Sequence, residues 1–118
     1  MISRKHRFHG YGSLSKVYRS GQVSRGPNFA LRVVRGTNKT GYRAAVVVSK
    51  KVAKSAVVRN RIRRRLFEAL RSFEPELDQS ADIIITVFST EFDELSHQVL
   101  LAQLQKQLHS AGVLDKQN

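Results

Sequence analysis

The 118-residue chain has no cysteine, no tryptophan, only two prolines and no long apolar run. The absence of cysteine excludes a disulfide framework, a thiolate metal site and a cysteine nucleophile. No stretch approaches the roughly 18 apolar residues that span a bilayer, and no apolar segment of the kind found in secretion signals follows the basic segment MISRKHRFHG. We therefore expect a cytoplasmic protein that is neither exported nor inserted into a membrane.

Acidic residues are absent from positions 1–67, which contain 18 Lys and Arg. The whole chain carries a formal charge of 21 − 9 = +12, whereas residues 72–118 have two basic and eight acidic residues, a local balance of −6. Dense charge of one sign repels itself unless a polyanion compensates for it, and an ordinary solvated surface intersperses both signs. The distribution predicts a nucleic-acid partner, with an anionic membrane surface as the weaker alternative.

Length and composition predict one domain over residues 1–118, because 41% apolar residues suffice for a single core. The apolar patterns and turn residues predict a helix over 13–20, strands over 28–35, 42–50 and 82–88, and helices over 55–73 and 91–110. The segment SGQVSRGPN is expected to be a turn-rich connector. We expect residues 1–10 and 112–118 to be flexible.

The order of helix, two or three strands, helix, strand and helix predicts an α+β two-layer sandwich. The strands over 28–35 and 42–50 are expected to form a hairpin, the second of them being the more buried. DIIITVF, over 82–88, is apolar almost throughout and is expected to be a core strand covered on both faces. A crossover would place Val46 beside Ile84 in parallel strands, and the general rule makes it right-handed.

The last predicted helix has two apolar stripes, which indicate broad burial or contact with a partner. One stripe contains Phe92, Leu95, Val99 and Ala102, and the other contains Leu101, Leu104 and Leu108.

The helix SAVVRNRIRRRLFEALR combines an apolar face with a dense row of cations. Its apolar face comprises Val58, Ile62, Leu66, Ala69, Leu70 and Phe73. Five arginines, called here the arginine ridge, occupy seven positions: Arg59, Arg61, Arg63, Arg64 and Arg65. Of these, Arg61, Arg64 and Arg65 are predicted to point away from the apolar face.

Like charges at i and i+4 destabilise an isolated helix, so the arginine ridge needs an external partner. The planar guanidinium suits phosphate because it donates two parallel hydrogen bonds, and each phosphate contact releases counterions. Lys50, Lys51 and Lys54 extend the cationic surface upstream. Asn60 both donates and accepts, so it can contact a base edge, a sugar hydroxyl or a hydrated metal held by RNA, or simply cap a turn.

The run VVVSKKVAKSAVVRNRIRRRLFEALR resembles the signature of the bacterial ribonuclease P protein subunit family, in which a strand ending in Ser-Lys-Lys precedes a helix bearing Arg-Asn-Arg. The resemblance extends over nearly the whole chain, through LSKVYRSG, FALRVV and DIIITVF in the expected order. It implies a fold whose crossover through the arginine helix is left-handed, against the general rule.

In that family a large catalytic RNA removes the 5′ leader from precursor tRNA with bound magnesium ions, and the protein assists. The resemblance implies no catalytic residue and no metal site in the protein, with Mg²⁺ held mainly by the RNA. By residue match, the catalytic RNA would contact Lys50, Lys51, Lys54, Arg59, Asn60, Arg61, Arg63, Arg64 and Arg65. The partners implied are this RNA and precursor tRNA, with no DNA and no membrane.

The single-stranded leader would lie against Leu14, Tyr18 and Arg32, since an aromatic ring stacks on an unpaired base while cations follow the backbone. Leu14 departs from the family pattern, where an aromatic residue is common, so stacking would rest on Tyr18, with Phe8 as a substitute. Ordinary core packing of a short helix remains the alternative for Leu14 and Tyr18. The uneven charge suggests that one face meets RNA and the opposite face meets solvent.

Three other classes of protein remain as alternatives. A self-sufficient nuclease would need Asp82, Glu91, Asp93 and Glu94 to converge, yet acids at a helix start need no catalytic purpose. His6, His9, His97 and His109 lack the spacing of a metal site and are expected to be solvated or in contact with RNA. A ribosomal-type RNA-binding protein explains the charge but not the Arg-Asn-Arg helix, and a DNA-binding regulator lacks a dimerisation element.

Overall fold

The computed structural model of the chain describes residues 22–36 and 41–114. The strands are β1 (Gln22–Arg25), β2 (Phe29–Val34), β3 (Arg43–Val48) and β4 (Asp82–Val87), and the helices are α1 (Ala56–Arg71) and α2 (His97–Ser110). Short 3-10 turns follow α1 at Glu74–Glu76 and precede α2 at Phe92–Glu94. Within those ranges, no helix combines the length and apolar character needed to cross a membrane. The predicted α+β class is confirmed, and the helix predicted over 13–20 lies outside the described residues.

The central strand is β4, in a sheet of order β1-β2-β4-β3. Its residues Ile83, Ile84 and Ile85 are all fully buried, which confirms the prediction of a strand covered on both faces. Ile85 pairs with Leu31 of the antiparallel β2 and with Val46 of the parallel β3, so the predicted parallel pairing is also confirmed. The handedness of the crossover through α1 stays a prediction.

The predicted hairpin between the second and third strands is wrong, because β4 lies between β2 and β3. An all-apolar strand buries more surface in the middle of a sheet than at its edge. As an edge strand, β3 buries only alternate residues: Ala44, Val46 and Val48 are buried, whereas Val47 is 37% exposed. The expectation that this strand would be the more buried of the two is therefore also wrong.

The actual hairpin joins β2 to β1, a strand within the segment predicted to be a turn-rich connector. Hydrophobic alternation fails to reveal β1, since its one large apolar residue, Val23, is 54% exposed while Ser24 is buried. Gln107 explains this inversion. Its Nε2 donates to the Ser24 carbonyl at 3.1 Å and to the Phe29 carbonyl at 2.9 Å, which joins α2 to both strands of the hairpin.

Both helices pack on one face of the sheet, the face that carries Leu31, Val46 and Ile85. Ser55 caps α1 by accepting a hydrogen bond from the Val58 amide, and the buried side of the helix largely matches the predicted apolar face. Its fully or nearly buried residues are Ile62, Leu66, Phe67, Ala69 and Leu70. Val58 and Phe73 of the predicted face are partly buried and pack against this core.

The second helix begins at His97 rather than near Glu91, because Ser96 caps it by accepting from the Val99 amide. The predicted stripe of Phe92, Leu95, Val99 and Ala102 therefore does not form, because Phe92 and Leu95 precede the helix. Val99 is 43% exposed, and the buried positions of α2 are Leu100, Leu104, Gln107 and Leu108.

The chain stays anchored as far as residue 114. Val113 and Leu114 are buried, and Leu114 forms an isolated bridge with Leu77. Of the two segments predicted to be flexible, all of residues 1–10 and residues 115–118 of the second lie outside the described residues.

Candidate nucleic-acid interface

The cationic surface begins in a turn before α1. Lys50, Lys51 and Lys54 are all exposed there, and the turn is closed by amide hydrogen bonds from Val52 and Ala53 to the Ser49 carbonyl. We call residues 49–54 the basic turn. It enters the helix directly, so its lysines and the arginine ridge form one continuous surface.

Arg59 joins the basic turn to the helix. Its Nη1 donates to the carbonyls of Ala53 at 2.9 Å and Lys54 at 2.8 Å, and the side chain is half-buried. Two bonds of a guanidinium to carbonyls fix the backbone that carries Lys54. Arg59 therefore stabilises the backbone of the basic turn where it joins α1.

Asn60 is exposed in the first turns of α1, and its Oδ1 accepts a hydrogen bond from Nη1 of Arg63. The amide nitrogen of Asn60 still carries two N–H donors that this bond does not use. The contact orients Arg63, which is half-buried, along the helix. The Asn60 amide thus has a role that the sequence does not predict, because it supports a neighbouring arginine.

Arg61 forms an ion pair with Asp93, which lies in the 3-10 turn before α2. Its Nε donates to Oδ1 at 3.1 Å and its Nη2 donates to Oδ2, so the pair is bidentate. The hydrogen bond from Arg61, helped by the charges of Arg61 and Arg65, lowers the pKa of the Asp93 carboxyl, and the same bond raises the pKa of Arg61. Both side chains remain accessible, at 46% exposure for Arg61 and 34% for Asp93.

Arg65 turns towards the protein instead of away from it. Its Nη2 donates to the Leu95 carbonyl at 2.6 Å, and Nη1 makes longer contacts with the carbonyls of Phe92 at 3.4 Å and Asp93 at 3.5 Å. Its guanidinium lies 5.6 Å from the centre of the buried Phe92 ring. The prediction that Arg65 points outward is wrong, because the carbonyls at the end of the 3-10 turn offer it acceptors at the protein surface.

Arg64 is exposed, and its guanidinium makes no hydrogen bond or ion pair with any residue that the structure describes. Together with Arg61, Arg65, Glu68 and His97 it lines a surface notch of about 370 Å³. His97 reaches this notch as the first residue of α2, a placement that sequence spacing could not reveal. Arg64 is therefore the ridge arginine best placed to meet a ligand without first breaking a contact.

The opposite face of the sheet, called here the outer sheet face, carries Arg32. Arg32 is half-buried and lies in register between Val23 of β1 and Ile84 of β4. The arginine ridge lies on the helical side, so the structure does not bring Arg32 into the ridge. Leu14 and Tyr18, the other two residues predicted to bind the leader, lie outside the described residues.

A groove of about 420 Å³ connects the basic turn with the outer sheet face. Lys51, Val47, Thr86 and Phe88 are among its lining residues. Phe88 is 36% exposed, and the Arg25 guanidinium lies 4.3 Å from the centre of its ring. An exposed aromatic ring beside cations is typical of surfaces that bind single-stranded nucleic acid. The sequence pattern does not mark Phe88 as a binding residue, because Phe88 directly follows the apolar run of β4.

The acids of the nuclease alternative do not converge. Asp82 is 2% exposed at the start of β4 and accepts two hydrogen bonds from Arg43, whereas Glu91, Asp93 and Glu94 follow the end of that strand. His97 and His109 lie near opposite ends of α2, and His6 and His9 lie outside the described residues. Over residues 22–36 and 41–114, no group of three or more His, Asp or Glu side chains could hold a metal ion.

Comparison with known proteins gives consistent matches. Residues 2–112 match the protein-family model described as Ribonuclease P. A ribonuclease P protein component of Pseudanabaena sp. is 34% identical over 114 residues, which cover 97% of each chain. Another from Rippkaea orientalis is 34% identical over 102 residues, covering 83% of this chain and 80% of the relative.

Solved structures share the architecture. The RNase P protein from Staphylococcus aureus superimposes with a TM-score of 0.81 at 21% identity, over 93% of this chain and 98% of that one. The RNase P protein from Thermotoga maritima gives a TM-score of 0.77 at 19% identity, over 88% and 96%. At these identities the likeness establishes the fold.

Proposed function

Because this chain belongs to the ribonuclease P protein family, we propose that it acts as the protein subunit of a ribonuclease P holoenzyme. In this proposal it binds a catalytic RNA and the 5′ leader of precursor tRNA in the cytoplasm, and it assists removal of the leader to give mature tRNA 5′ ends. The observation that carries the proposal is the cationic surface of α1. Some of its cations are exposed and others are held by hydrogen bonds within the protein, and Ile62, Leu66 and Leu70 anchor the helix in the core.

Contact with the catalytic RNA is assigned to the arginine ridge, Asn60 and the basic turn. Arg64 and the three lysines supply accessible charge, and Arg59 holds the turn in line with the helix. Each cation that meets a phosphate releases condensed counterions from the RNA, so affinity should fall steeply as salt rises. A rigid helix that presents this charge avoids ordering its backbone during binding.

The leader is assigned to the outer sheet face, where Arg32 lies and where Leu14 and Tyr18 were predicted to contribute. The exposed ring of Phe88, with Arg25 over it, adds a stacking platform to this proposal. Every base has an aromatic face, so such a surface grips a single strand with little regard to sequence. The groove that contains Lys51 would let one RNA assembly reach both surfaces.

Catalysis is assigned to the RNA, with its Mg²⁺ held mainly by that RNA. The described part of the chain offers no cluster of carboxylates or imidazoles suited to the ion. The residues of this protein would bind and orient RNA, and no proton or metal step is assigned to them. The holoenzyme is thus a tRNA-processing endoribonuclease in which this chain is the accessory subunit.

The test is cleavage of a precursor tRNA at low magnesium by a bacterial ribonuclease P RNA, with and without this protein. Correct 5′ maturation only when both are present is the expected result. Absence of stimulation together with tight binding to other structured RNAs would indicate a ribosomal-type RNA-binding protein instead. Cleavage by the protein alone would overturn the assignment of catalysis to RNA.

A further inference from the structure

Part of the arginine ridge is occupied by the protein's own oxygen atoms. Arg61 holds the Asp93 carboxylate in a bidentate contact, and Arg65 holds the carbonyls of the same 3-10 turn. A carboxylate held by a guanidinium fork has the donor geometry that Arg also offers a phosphate. Asp93 therefore occupies the position on Arg61 that an RNA phosphate would need.

Two ion pairs within residues 22–36 and 41–114 differ in accessibility. The Asp82 carboxylate, paired with Arg43, is 2% exposed, whereas the Asp93 carboxylate, paired with Arg61, is 34% exposed. Exposed ion pairs contribute little net stability and are screened by salt. The Arg61–Asp93 pair is therefore open to exchange with an anion from solution, and the Arg43–Asp82 pair is not.

Arg65 keeps the turn in place during such an exchange. Its guanidinium donates to the carbonyls of residues 92, 93 and 95 and lies near the ring of Phe92, which is fully buried. These contacts do not involve the Asp93 side chain. When the Asp93 carboxylate releases Arg61, the turn and α1 can stay docked while one exposed side chain rotates into solvent.

We propose that Asp93 is a positioning residue that stands in for an RNA phosphate: it holds Arg61 ready in the free protein and is displaced by a phosphate of the catalytic RNA. The proposal rests on the proposed function, since it requires the arginine ridge to bind that RNA. Any polyanion that takes Arg61 must displace Asp93 at the same cost in free energy, so Asp93 lowers the affinity for each such ligand by the same factor.

The test compares Asp93→Asn with Glu94→Gln, its matched control. Glu94 lies in the same 3-10 turn and is exposed, and no hydrogen bond or ion pair of its side chain is present within the described residues. Both variants remove one negative charge beside the ridge, but only Asp93→Asn removes the competitor for Arg61. The probe is a bacterial ribonuclease P RNA, with affinity measured over a range of salt concentrations at fixed magnesium.

We expect Asp93→Asn to bind this RNA roughly two- to fivefold more tightly than Glu94→Gln, the range implied by the strength of exposed ion pairs. Arg61→Gln should lower the slope of log affinity against log salt by about 0.7 to 0.9, one phosphate contact. In the Arg61→Gln background, Asp93→Asn should no longer improve binding over Glu94→Gln, because two residues that act through one contact are not additive.

Equal affinity of Asp93→Asn and Glu94→Gln would overturn the proposal, and so would weaker binding by Asp93→Asn, since the pair would then persist in the complex. An unchanged salt slope for Arg61→Gln would do the same. The proposed function fails differently: wild-type protein would bind the ribonuclease P RNA no better than an unrelated structured RNA, and Arg64→Gln would leave the slope unchanged.

Discussion

The carboxylate of Asp82 accepts two hydrogen bonds from Arg43, its direct neighbour in the parallel pairing of β3 with β4. Arg43 Nε lies 2.9 Å from Oδ1 and Nη2 lies 2.8 Å from Oδ2. The hydrogen bond to Asp82 raises the pKa of Arg43. This contact fixes the register at the start of the two strands whose crossover contains α1, and so it fixes where the arginine ridge lies.

Replacing Arg43 should therefore destabilise the sheet. Arg43→Met removes the guanidinium from a carboxylate that is 2% exposed, and we expect the free energy of unfolding to fall by about 2 kcal/mol. Arg43→Lys is the matched control, because it keeps the charge without the bidentate geometry and should lose less. Urea denaturation measures both variants. A loss for Arg43→Met within 0.5 kcal/mol of zero would show that pairing of β3 with β4 does not depend on this contact.

Gly26 lies where the β1–β2 hairpin meets α2. A Cβ at this position would lie 2.2 Å from Oε1 of Gln107, whose Nε2 binds Ser24 and Phe29 of the hairpin. Gly26→Ala must therefore move the Gln107 amide and weaken its hydrogen bonds, and we expect about 1 to 3 kcal/mol of destabilisation in urea.

The control for this prediction is Gly26→Ala in a variant that lacks the Gln107 amide. In a Gln107→Ala background, Gly26→Ala should cause much less further destabilisation, because nothing remains for the new methyl group to displace. Additive losses in the double variant would contradict the close approach of Gly26 and Gln107 as the cause.

Arg64 and Arg65 are adjacent in sequence but should respond in opposite ways to substitution. Arg64→Gln should lower the salt slope of RNA binding by about 0.7 to 0.9 and change stability by less than about 0.5 kcal/mol. Arg65→Gln should destabilise the protein by about 1 to 2 kcal/mol, because it removes donors from the carbonyls of residues 92–95. Filter binding over a salt series, with thermal melts of the same samples, tests both. Equal effects of the two variants on stability would contradict a structural role for Arg65.

The pH dependence of stability should report the Arg61–Asp93 pair. Because the pKa of Asp93 is lowered in the folded protein, its charged form adds stability above the ordinary aspartate pKa of about 3.9, and this is lost as the pH falls through the lowered value. Wild type should therefore exceed Asp93→Asn by less than about 1 kcal/mol near neutral pH, with the difference vanishing in acid. In an Arg61→Gln background the difference should be small at every pH, and a difference that persists there would assign it to another cause.

Local sequence patterns were sufficient to predict β4, which is buried almost throughout, and α1, which is buried along one face. The apolar run of β4 and the single face of α1 predicted a core strand and an anchored helix, and Ser55 marked the helix start. The local pattern failed where a residue distant in sequence determines the structure. Gln107 binds the backbone of the polar segment that forms β1, and β4 lies between the two strands that were predicted to pair. Asp93 and Leu95 are about 30 residues from the arginines that bind them, so no helical spacing could reveal that part of the ridge faces inward.

Phe88 should be needed for leader binding but not for binding of mature tRNA. Its ring is 36% exposed on the outer sheet face, with Arg25 above it, and stacking on one base is worth about 1 to 3 kcal/mol. Phe88→Ala should therefore weaken binding of the holoenzyme to a precursor tRNA with a single-stranded leader by roughly fivefold or more. Val99→Ala is the matched control, since Val99 is similarly exposed but lies on α2. Equal weakening for precursor and leaderless tRNA would place the effect of Phe88 outside the leader path, because a base that is absent from mature tRNA cannot account for it.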